Sequence, residues 1–241
     1  MHPVLFEIFG RQIGTYGLLV ILGVVSAWIL VRLLAGKENK DIPLIFLICI
    51  CGGLIGAFLL RPIIRIPEII INWEYFSQMP LNVSLSVVFG EVVFYGGLIG
   101  GMIAMLLYCR GFNIPVLPVA DLFAPALALA HGFGRIGCFF GGCCYGTLIF
   151  PVQLVEATCL FILAAILVII YKKTTVKGLT VCMYGLLYSV LRFLLEFFRQ
   201  DSARGVYGWF STSQYISMVL FAVSLVLLCI VLKRRGVHGY D

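Results

Sequence analysis

Seven long apolar runs constrain this sequence of 241 residues more than any other feature. A helix needs about 20 consecutive apolar residues to cross the hydrocarbon core of a bilayer. Because lipid offers no hydrogen bonds, the backbone of such a run must satisfy its own polar groups, as a helix does. The runs predict spanning helices at roughly residues 14–35, 43–64, 86–108, 118–140, 153–171, 178–199 and 212–232.

The composition supports this assignment. The chain is 62% hydrophobic and 12% charged, whereas soluble domains are about 45–50% apolar and about 25% charged. We therefore predict an all-α, polytopic integral membrane protein with about seven transmembrane helices. A single transmembrane domain is expected over residues 1–241, with its motifs within residues 16–217 and an interfacial segment at 66–80 anchored by Trp73 and Tyr75. The N-terminal sequence has no signal-peptide pattern.

Basic residues predict the orientation of the chain. Seven spans place the termini on opposite sides, and all six lysines fall on one side. Cytoplasmic loops are enriched in Lys and Arg, so we expect the N-terminus outside and the C-terminus in the cytoplasm. The outer side carries arginine without lysine, partly within helices, where a charge suggests a functional site. These arginines, some of which can instead snorkel to headgroups, are Arg11, Arg61, Arg65, Arg135, Arg192, Arg199 and Arg204.

The fourth span runs into the stretch HGFGRIGCFFGGCCYG. His131, Arg135 and Cys138 follow i, i+4, i+7 spacing and share one helix face. Cys138, Cys143 and Cys144 have C-x4-C-C spacing and lack the second pair of a typical zinc site. We expect no metal and no cofactor, with these cysteines lining the site as small groups. A membrane thiol oxidoreductase built on them is an alternative, although the chain has no C-x-x-C pair.

The sixth span places Tyr188, Arg192, Glu196 and Arg199 on one face. Arg192 and Glu196 are four residues apart, so they can form an ion pair along the helix. A buried ion pair that only fixes helix packing is the structural alternative. Because two arginines and one glutamate leave a positive charge over, the arrangement indicates an anion site. Elsewhere the small-xxx-small glycine patterns of the second and third spans predict close helix packing.

Six motifs occur in order between Tyr16 and Ser217: YG, YGGLIGG, GRIGCFFGGCCYG, PVQLVE, RFLLEFFRQD and STSQYIS. Together they resemble the prolipoprotein diacylglyceryl transferases. That family moves a diacylglyceryl group from phosphatidylglycerol onto the lipobox cysteine thiol of a secreted prolipoprotein, at the outer face of the bacterial cytoplasmic membrane. The resemblance implies a lipid-dependent transferase whose partners are an anionic phospholipid and a thiol acceptor, without nucleic acid.

The resemblance also implies the site residues. Arg135 and Arg192 would clamp the donor phosphate, and Glu196 would orient Arg192. Tyr95 stands where the family has a catalytic histidine, and His131 is the one histidine within the motifs that could replace it as a base. The remaining substrate-binding candidates are Tyr16, Arg61, Arg199, Cys138, Cys143, Gly146, Gln153 and Glu156.

The sequence departs from the family pattern near the acceptor side. Cys138 and Cys143 stand where the family has asparagine and glutamate, and Phe58 stands where an arginine is usual. Typical members insert an extracytoplasmic head between the signature and PxQLxE, where this chain has only Thr147–Phe150. The acceptor is therefore either a lipoprotein cysteine or a smaller thiol. A transferase of a different lipid-derived group, a transporter and a lipid-binding protein are further alternatives, although a transporter would favour inverted repeats, which the sequence lacks.

Overall fold

The computed structural model describes residues 4–8, 11–36, 39–89, 93–146, 150–200 and 205–238. Helices dominate these residues, and the strands form two short antiparallel pairs, β1 with β2 and β3 with β4. The elements in chain order are β1 (Val4–Ile8), β2 (Arg11–Gly14), α1 (Thr15–Ala35), α2 (Ile42–Ile71), α3 (Trp73–Ser77), α4 (Leu81–Phe89), α5 (Phe94–Gly111), α6 (Val116–Gly141), α7 (Val152–Lys173), α8 (Leu179–Leu195), a 3₁₀ turn (Glu196–Phe198), β3 (Val206–Tyr207), β4 (Phe210–Ser211) and α9 (Thr212–His238).

Seven helices of the described chain are long and apolar enough to cross a membrane, which confirms the predicted all-α polytopic class. They are α1, α2, α5, α6, α7, α8 and α9, and the span formed by α8 includes the 3₁₀ turn that follows it. Two boundaries differ from the prediction. Helix α2 continues through Pro62 and Pro67 to Ile71, because membrane helices tolerate internal proline when local adjustments satisfy the freed carbonyl. The third span begins at Phe94 because Leu81–Phe89 forms the separate helix α4.

The described chain divides into two compact units, one comprising Met1–Gly36 and Leu117–Asp241 and the other Lys37–Val116. In the second unit α2 packs along α5 through facing glycines. A Cβ added to Gly56 would collide with the carbonyl oxygen of Gly96, and one added to Gly52 with the carbonyl oxygen of Gly100. The two backbones are therefore in contact, as the small-xxx-small patterns predict. Trp73 and Tyr75 are exposed, and the interfacial position of 66–80 stays a prediction.

The first unit contains α1 and α6 to α9, and its core lies between α6, α7 and α8. Ala128, Leu160, Leu167 and Tyr188 are buried in one apolar cluster there. The N-terminal end of α8 is fixed by Asp121 of α6, whose carboxylate accepts hydrogen bonds from the backbone N–H groups of residues 178 and 181. Because these donors lie at the start of α8, Asp121 caps that helix from a neighbouring one and sets its direction.

Candidate functional site

Five charged side chains form an alternating network in the first unit. Glu156 on α7 lies between Arg135 of α6 and Arg192 of α8, with 3.1 Å from its Oε1 to Arg135 Nε and 3.5 Å from its Oε2 to Arg192 Nη1. Glu196 Oε2 is 2.7 Å from Arg192 Nη2 and 3.5 Å from Arg199 Nη1. The predicted pair of Arg192 and Glu196 is therefore present, within a larger chain of ions that joins three helices.

The interior of this network is almost fully buried. Only 3% of the Arg192 side chain and 1% of the Glu156 and Glu196 side chains are exposed, against 13% for Arg135 and 10% for Arg199. Burying charges costs free energy unless each has a partner. Among the described residues the network holds three guanidinium groups and two carboxylates, and its two most accessible members are the guanidinium groups of Arg135 and Arg199. This arrangement suits the binding of one anionic group.

A capping interaction at the start of α9 brings a further polar group to Arg192. The backbone N–H of Ser211 donates to Gln214 Oε1 at 2.9 Å, and the backbone N–H of Gln214 donates to Ser211 Oγ at 3.3 Å. This reciprocal pair is a capping box. It places Ser213 in the first turn of α9, where its Oγ accepts a hydrogen bond of 3.0 Å from Arg192 Nη2. Four helices therefore hold the network.

The cysteine-rich turn follows from how α6 ends. Gly142 has a positive φ of 74°, its N–H donates to the carbonyl of Phe139, and the N–H of Cys143 donates to the carbonyl of Cys138. These two bonds define a Schellman motif, which brings the residue after the glycine back against the helix. Gln153 Nε2 of α7 donates to the carbonyl of Cys143 at 2.8 Å, so this turn is tied to the helix that carries Glu156.

The three thiols of this turn lie together. The Sγ atoms of Cys138, Cys143 and Cys144 all lie within 4.8 Å of one another. Cys143 is exposed, the other two are half-buried, and all three are free thiols. Partial burial raises the pKa of the Cys143 thiol, and its neighbour Cys144 adds to the effect. Cys143 is therefore mostly protonated near neutral pH, unlike a catalytic thiolate.

Gly146 lies where two chain segments meet at the same end of the unit. It pairs with Arg199 in an isolated antiparallel bridge, and the N–H of Gln200 donates to the carbonyl of Tyr145. A Cβ on Gly146 would lie 2.6 Å from the carbonyl oxygen of Phe150 and 3.1 Å from that of Phe198. Only glycine fits there, and the contact fixes the backbone that carries Arg199.

Tyr16 and His131 lie next to these groups in the first unit. Tyr16 packs on α6 at Gly137, where an added Cβ would approach its ring to 3.0 Å. His131 is buried, and its ring meets the Tyr188 ring edge-on with 5.2 Å between centroids. Tyr188 in turn stacks on Tyr184. His131 thus lies one turn before Arg135 on α6, among aromatic rings.

Tyr95 and Arg61 belong to the second unit. Tyr95 is half-buried in the first turn of α5. Arg61 lies on α2, and its Nε donates to the carbonyl of Val87 at 3.4 Å. Their predicted roles stay predictions.

Sequence reasoning gave Glu156 a position in a motif but missed what it does in the structure. It also missed Ser213 and Gln214, although both lie in the STSQYIS motif. The S-x-x-Q spacing at the start of an apolar run was the signal that could have identified the capping box.

The fold and the buried ions define a multi-pass helical membrane protein with a charged interior site. A family model described as prolipoprotein diacylglyceryl transferase matches residues 3–230. The phosphatidylglycerol–prolipoprotein diacylglyceryl transferase of Clostridium tetani is 35% identical, covering 93% of this chain and 96% of that relative. The phosphatidylglycerol–prolipoprotein diacylglyceryl transferase 2 of Clostridium perfringens is 33% identical, covering 98% of this chain and 97% of that relative. The corresponding transferase of Geobacter sulfurreducens is 30% identical, covering 98% of this chain and 97% of that relative.

This chain belongs to the prolipoprotein diacylglyceryl transferase family. It is a transferase and a bacterial multi-pass membrane protein, which confirms the class that the motifs predicted. These three relatives are matched almost end to end. Although the connection between Gly146 and Pro151 is short, this chain therefore lacks no whole domain that these three relatives have. The comparisons do not favour a related lipid-group transferase with a different acceptor or a thiol oxidoreductase.

Proposed function

We propose that the protein transfers a diacylglyceryl group from phosphatidylglycerol to the cysteine thiol of a prolipoprotein. The observation that carries this proposal is the buried network, whose two most accessible members are the guanidinium groups of Arg135 and Arg199. Phosphatidylglycerol carries one negative charge on its phosphodiester, which these two guanidinium groups would bind. The names of the relatives give both substrates, and the chain's own charged side chains account for recognition of the anionic one.

The reaction replaces a phosphate ester by a thioether. The acceptor sulfur attacks the glycerol carbon that carries the phosphate, a carbon–sulfur bond forms, and the carbon–oxygen bond breaks. Glycerol phosphate leaves with the electron pair of that bond, and the thiol proton passes to a base. Negative charge therefore grows on the departing phosphate, where fixed guanidinium groups in a low-dielectric site stabilise it.

The arginines divide this task according to their exposure. Arg135 and Arg199 are the accessible ends of the network and would contact the phosphate oxygens. Arg192 is held by two carboxylates and Ser213, so it would act as the fixed centre of the clamp. Its Nε is a buried donor without a hydrogen-bond partner among the described residues, which leaves it one donor for the anion.

A base for the acceptor thiol is the least determined part of the site. A free cysteine is only a few per cent ionised at neutral pH, so attack needs help with the proton. His131 is the candidate within the first unit, and Tyr95 stands at the family's histidine position. We propose that His131 takes the proton or positions the donor, and the role of Tyr95 stays a prediction from its place in the motif.

The site is proposed to face the extracytoplasmic side. The network, the cysteine turn and the Gly146 bridge lie where α6 ends and α7 begins, and Lys172 and Lys173 lie in the last turn of α7. Because cytoplasmic loops are enriched in lysine, the far end of α7 is assigned to the cytoplasm and the site to the outside. This orientation requires an external N-terminus and a cytoplasmic C-terminus.

Lipid transfer by purified arginine variants tests the clamp. Radiolabelled phosphatidylglycerol is supplied with a lipobox peptide or with a small thiol, and glycerol phosphate release and acceptor lipidation are both measured. Arg135→Lys and Arg192→Lys keep the charge but lose the planar fork, so activity should fall about tenfold or more. Arg110→Lys, at an exposed position in the second unit, is the matched control. Full activity in both site variants would exclude the clamp, and lipidation of the small thiol alone would exclude the prolipoprotein acceptor.

A further inference from the structure

The thiols of Cys138, Cys143 and Cys144 form a cluster that the proposed transfer does not use as reacting groups. Their sulfurs lie within 4.8 Å of one another, and each is a free thiol. We propose that these three cysteines bind one thiophilic divalent cation of the zinc class. Their spacing in the sequence gave no such indication, because the cluster is made by the backbone at the end of α6.

Two backbone features assemble the cluster. The Schellman motif at Gly142 brings Cys143 back against Cys138, the contact between residues C3 and C″ that such motifs favour. That motif alone accounts for two sulfurs. The third comes from Cys144, which has a positive φ of 56°, a conformation uncommon outside glycine. Gln153 holds the turn in place by donating a hydrogen bond to the carbonyl of Cys143. The three sulfurs are therefore held close together on one turn.

The spacing of the sulfurs fits a thiolate-bound ion. Zinc–sulfur bonds are about 2.3 Å long, so a tetrahedral ion holds its sulfurs about 3.8 Å apart. Sulfurs already within 4.8 Å of one another reach that spacing by small side-chain rotations. Three cysteines leave one coordination position for water, and the exposed Cys143 gives the ion a path into the site.

Charge balance connects the cluster to the neighbouring arginine. Binding one divalent cation releases three protons from the three thiols and leaves a net charge of minus one on the ion and its ligands. Arg135 lies within electrostatic range of all three thiols and would compensate that charge. The bound ion would then compete with the phosphate anion for Arg135, a consequence that rests on the proposed function, whereas ion binding itself does not.

Binding is tested on the purified, reduced full-length protein with Zn²⁺ and with Cd²⁺, whose thiolate complexes absorb in the ultraviolet. We expect one ion per chain, with affinity rising with pH as protons are released. Loss of an outer-shell partner alone weakens metal sites about 10–100-fold, so Cys138→Ser, Cys143→Ser and Cys144→Ser should each weaken binding about 100-fold or more. Cys51→Ser and Cys229→Ser, at exposed cysteines outside the cluster, are controls that should bind normally.

A second measurement uses the unsubstituted protein, so it does not depend on how the variants fold. Zn²⁺ should protect the three cluster thiols from alkylation, as located by mass spectrometry, while the alkylation of Cys51 and Cys229 is the same with and without Zn²⁺. Absence of binding by the reduced protein, equal binding by the cluster variants, or protection spread over all cysteines would overturn the proposal. If Zn²⁺ also raises KM for phosphatidylglycerol, the competition for Arg135 is supported. Unchanged KM at full occupancy would reject that competition and leave the metal site standing.

Discussion

Glu156 and Arg135 form an ion pair between α7 and α6, with Oε1 and Nε 3.1 Å apart but without the alignment of a hydrogen bond. The other oxygen of the same carboxylate lies 3.5 Å from Arg192 Nη1. One carboxylate thus holds two arginines of the proposed phosphate clamp at a fixed separation. The glutamate makes it possible to keep both guanidinium groups in the interior before any substrate arrives.

Neutralising Glu156 should therefore destabilise the fold as well as the site. Glu156→Gln keeps the side-chain shape but leaves two buried guanidinium groups facing each other, and losing one partner of a buried pair costs about 3–5 kcal/mol. We expect a clearly lower thermal unfolding temperature in detergent. Glu68→Gln is the control because the Arg65–Glu68 pair is largely exposed and such pairs contribute about 0–1 kcal/mol. Equal unfolding temperatures for the two variants would contradict the bridging role.

Gly146→Ala should disrupt the site through the backbone. Its new methyl group would press on the carbonyl oxygens of Phe150 and Phe198, and the bridge to Arg199 would have to shift. We expect transferase activity to fall about tenfold or more, since small misplacements of binding groups cost this much. Gly134→Ala, in the same signature but with nothing within 4 Å of the new Cβ, should keep activity. If both variants are equally active, the Gly146 contact is unimportant.

Cys143 should react slowly with alkylating reagents at mildly alkaline pH. Partial burial of its sulfur raises the pKa of the thiol, so at any given pH its thiolate fraction is smaller than that of a cysteine in an unstructured peptide, whose pKa is about 8.5. Only the thiolate reacts. The alkylation rate at about pH 8.5 should lie below that of a cysteine in an unstructured peptide with blocked termini, measured alongside. It should still rise at higher pH, where the reference thiol has levelled off. A rate equal to the reference across the range would show an unshifted thiol.

The assignment of the base is tested by pH profiles of transfer. His131→Gln, His131→Ala and Tyr95→Phe are compared with the unsubstituted protein from about pH 6 to about pH 9, the range in which histidine commonly titrates. If His131 takes the thiol proton, both of its variants lose rate and change the shape of the profile, whereas Tyr95→Phe alters the rate alone. Unchanged rates and profile in both His131 variants would leave ionisation to the acceptor itself.

The sequence predicts most of the fold because bilayer thickness fixes how long an apolar run must be. It predicts the start of the third span less well, since Leu81–Phe89 is as apolar as a spanning helix and forms a separate one. The pair of Arg192 and Glu196 follows from helical spacing alone. The link from Arg135 to Glu156 does not, because it depends on which faces of α6 and α7 meet.

The cysteine cluster shows the same limit at shorter range. The sequence spacing between Cys138 and Cys144 does not predict that their sulfurs lie close together, because this depends on the positive φ of Gly142 and Cys144. The signature also holds several other glycines at which the helix could have ended. Contacts made by tertiary packing or by one unusual backbone angle leave no periodic signal in the chain. The residue types in the sequence narrowed the list of candidate site residues, and the structure shows which of these residues lie together.

The division of the ion network among α6, α7, α8 and α9 also has a consequence for biogenesis. N-terminal segments are synthesised first, so Arg135 reaches the membrane before Glu156, and Arg192 arrives before Ser213. An arginine without a partner is costly in lipid and reaches towards the interface. We therefore expect α6 to lie shallow in the membrane, or beside the insertion machinery, until α7 supplies the carboxylate. The order of the helices along the chain is thus also the order in which the charges of the site are neutralised.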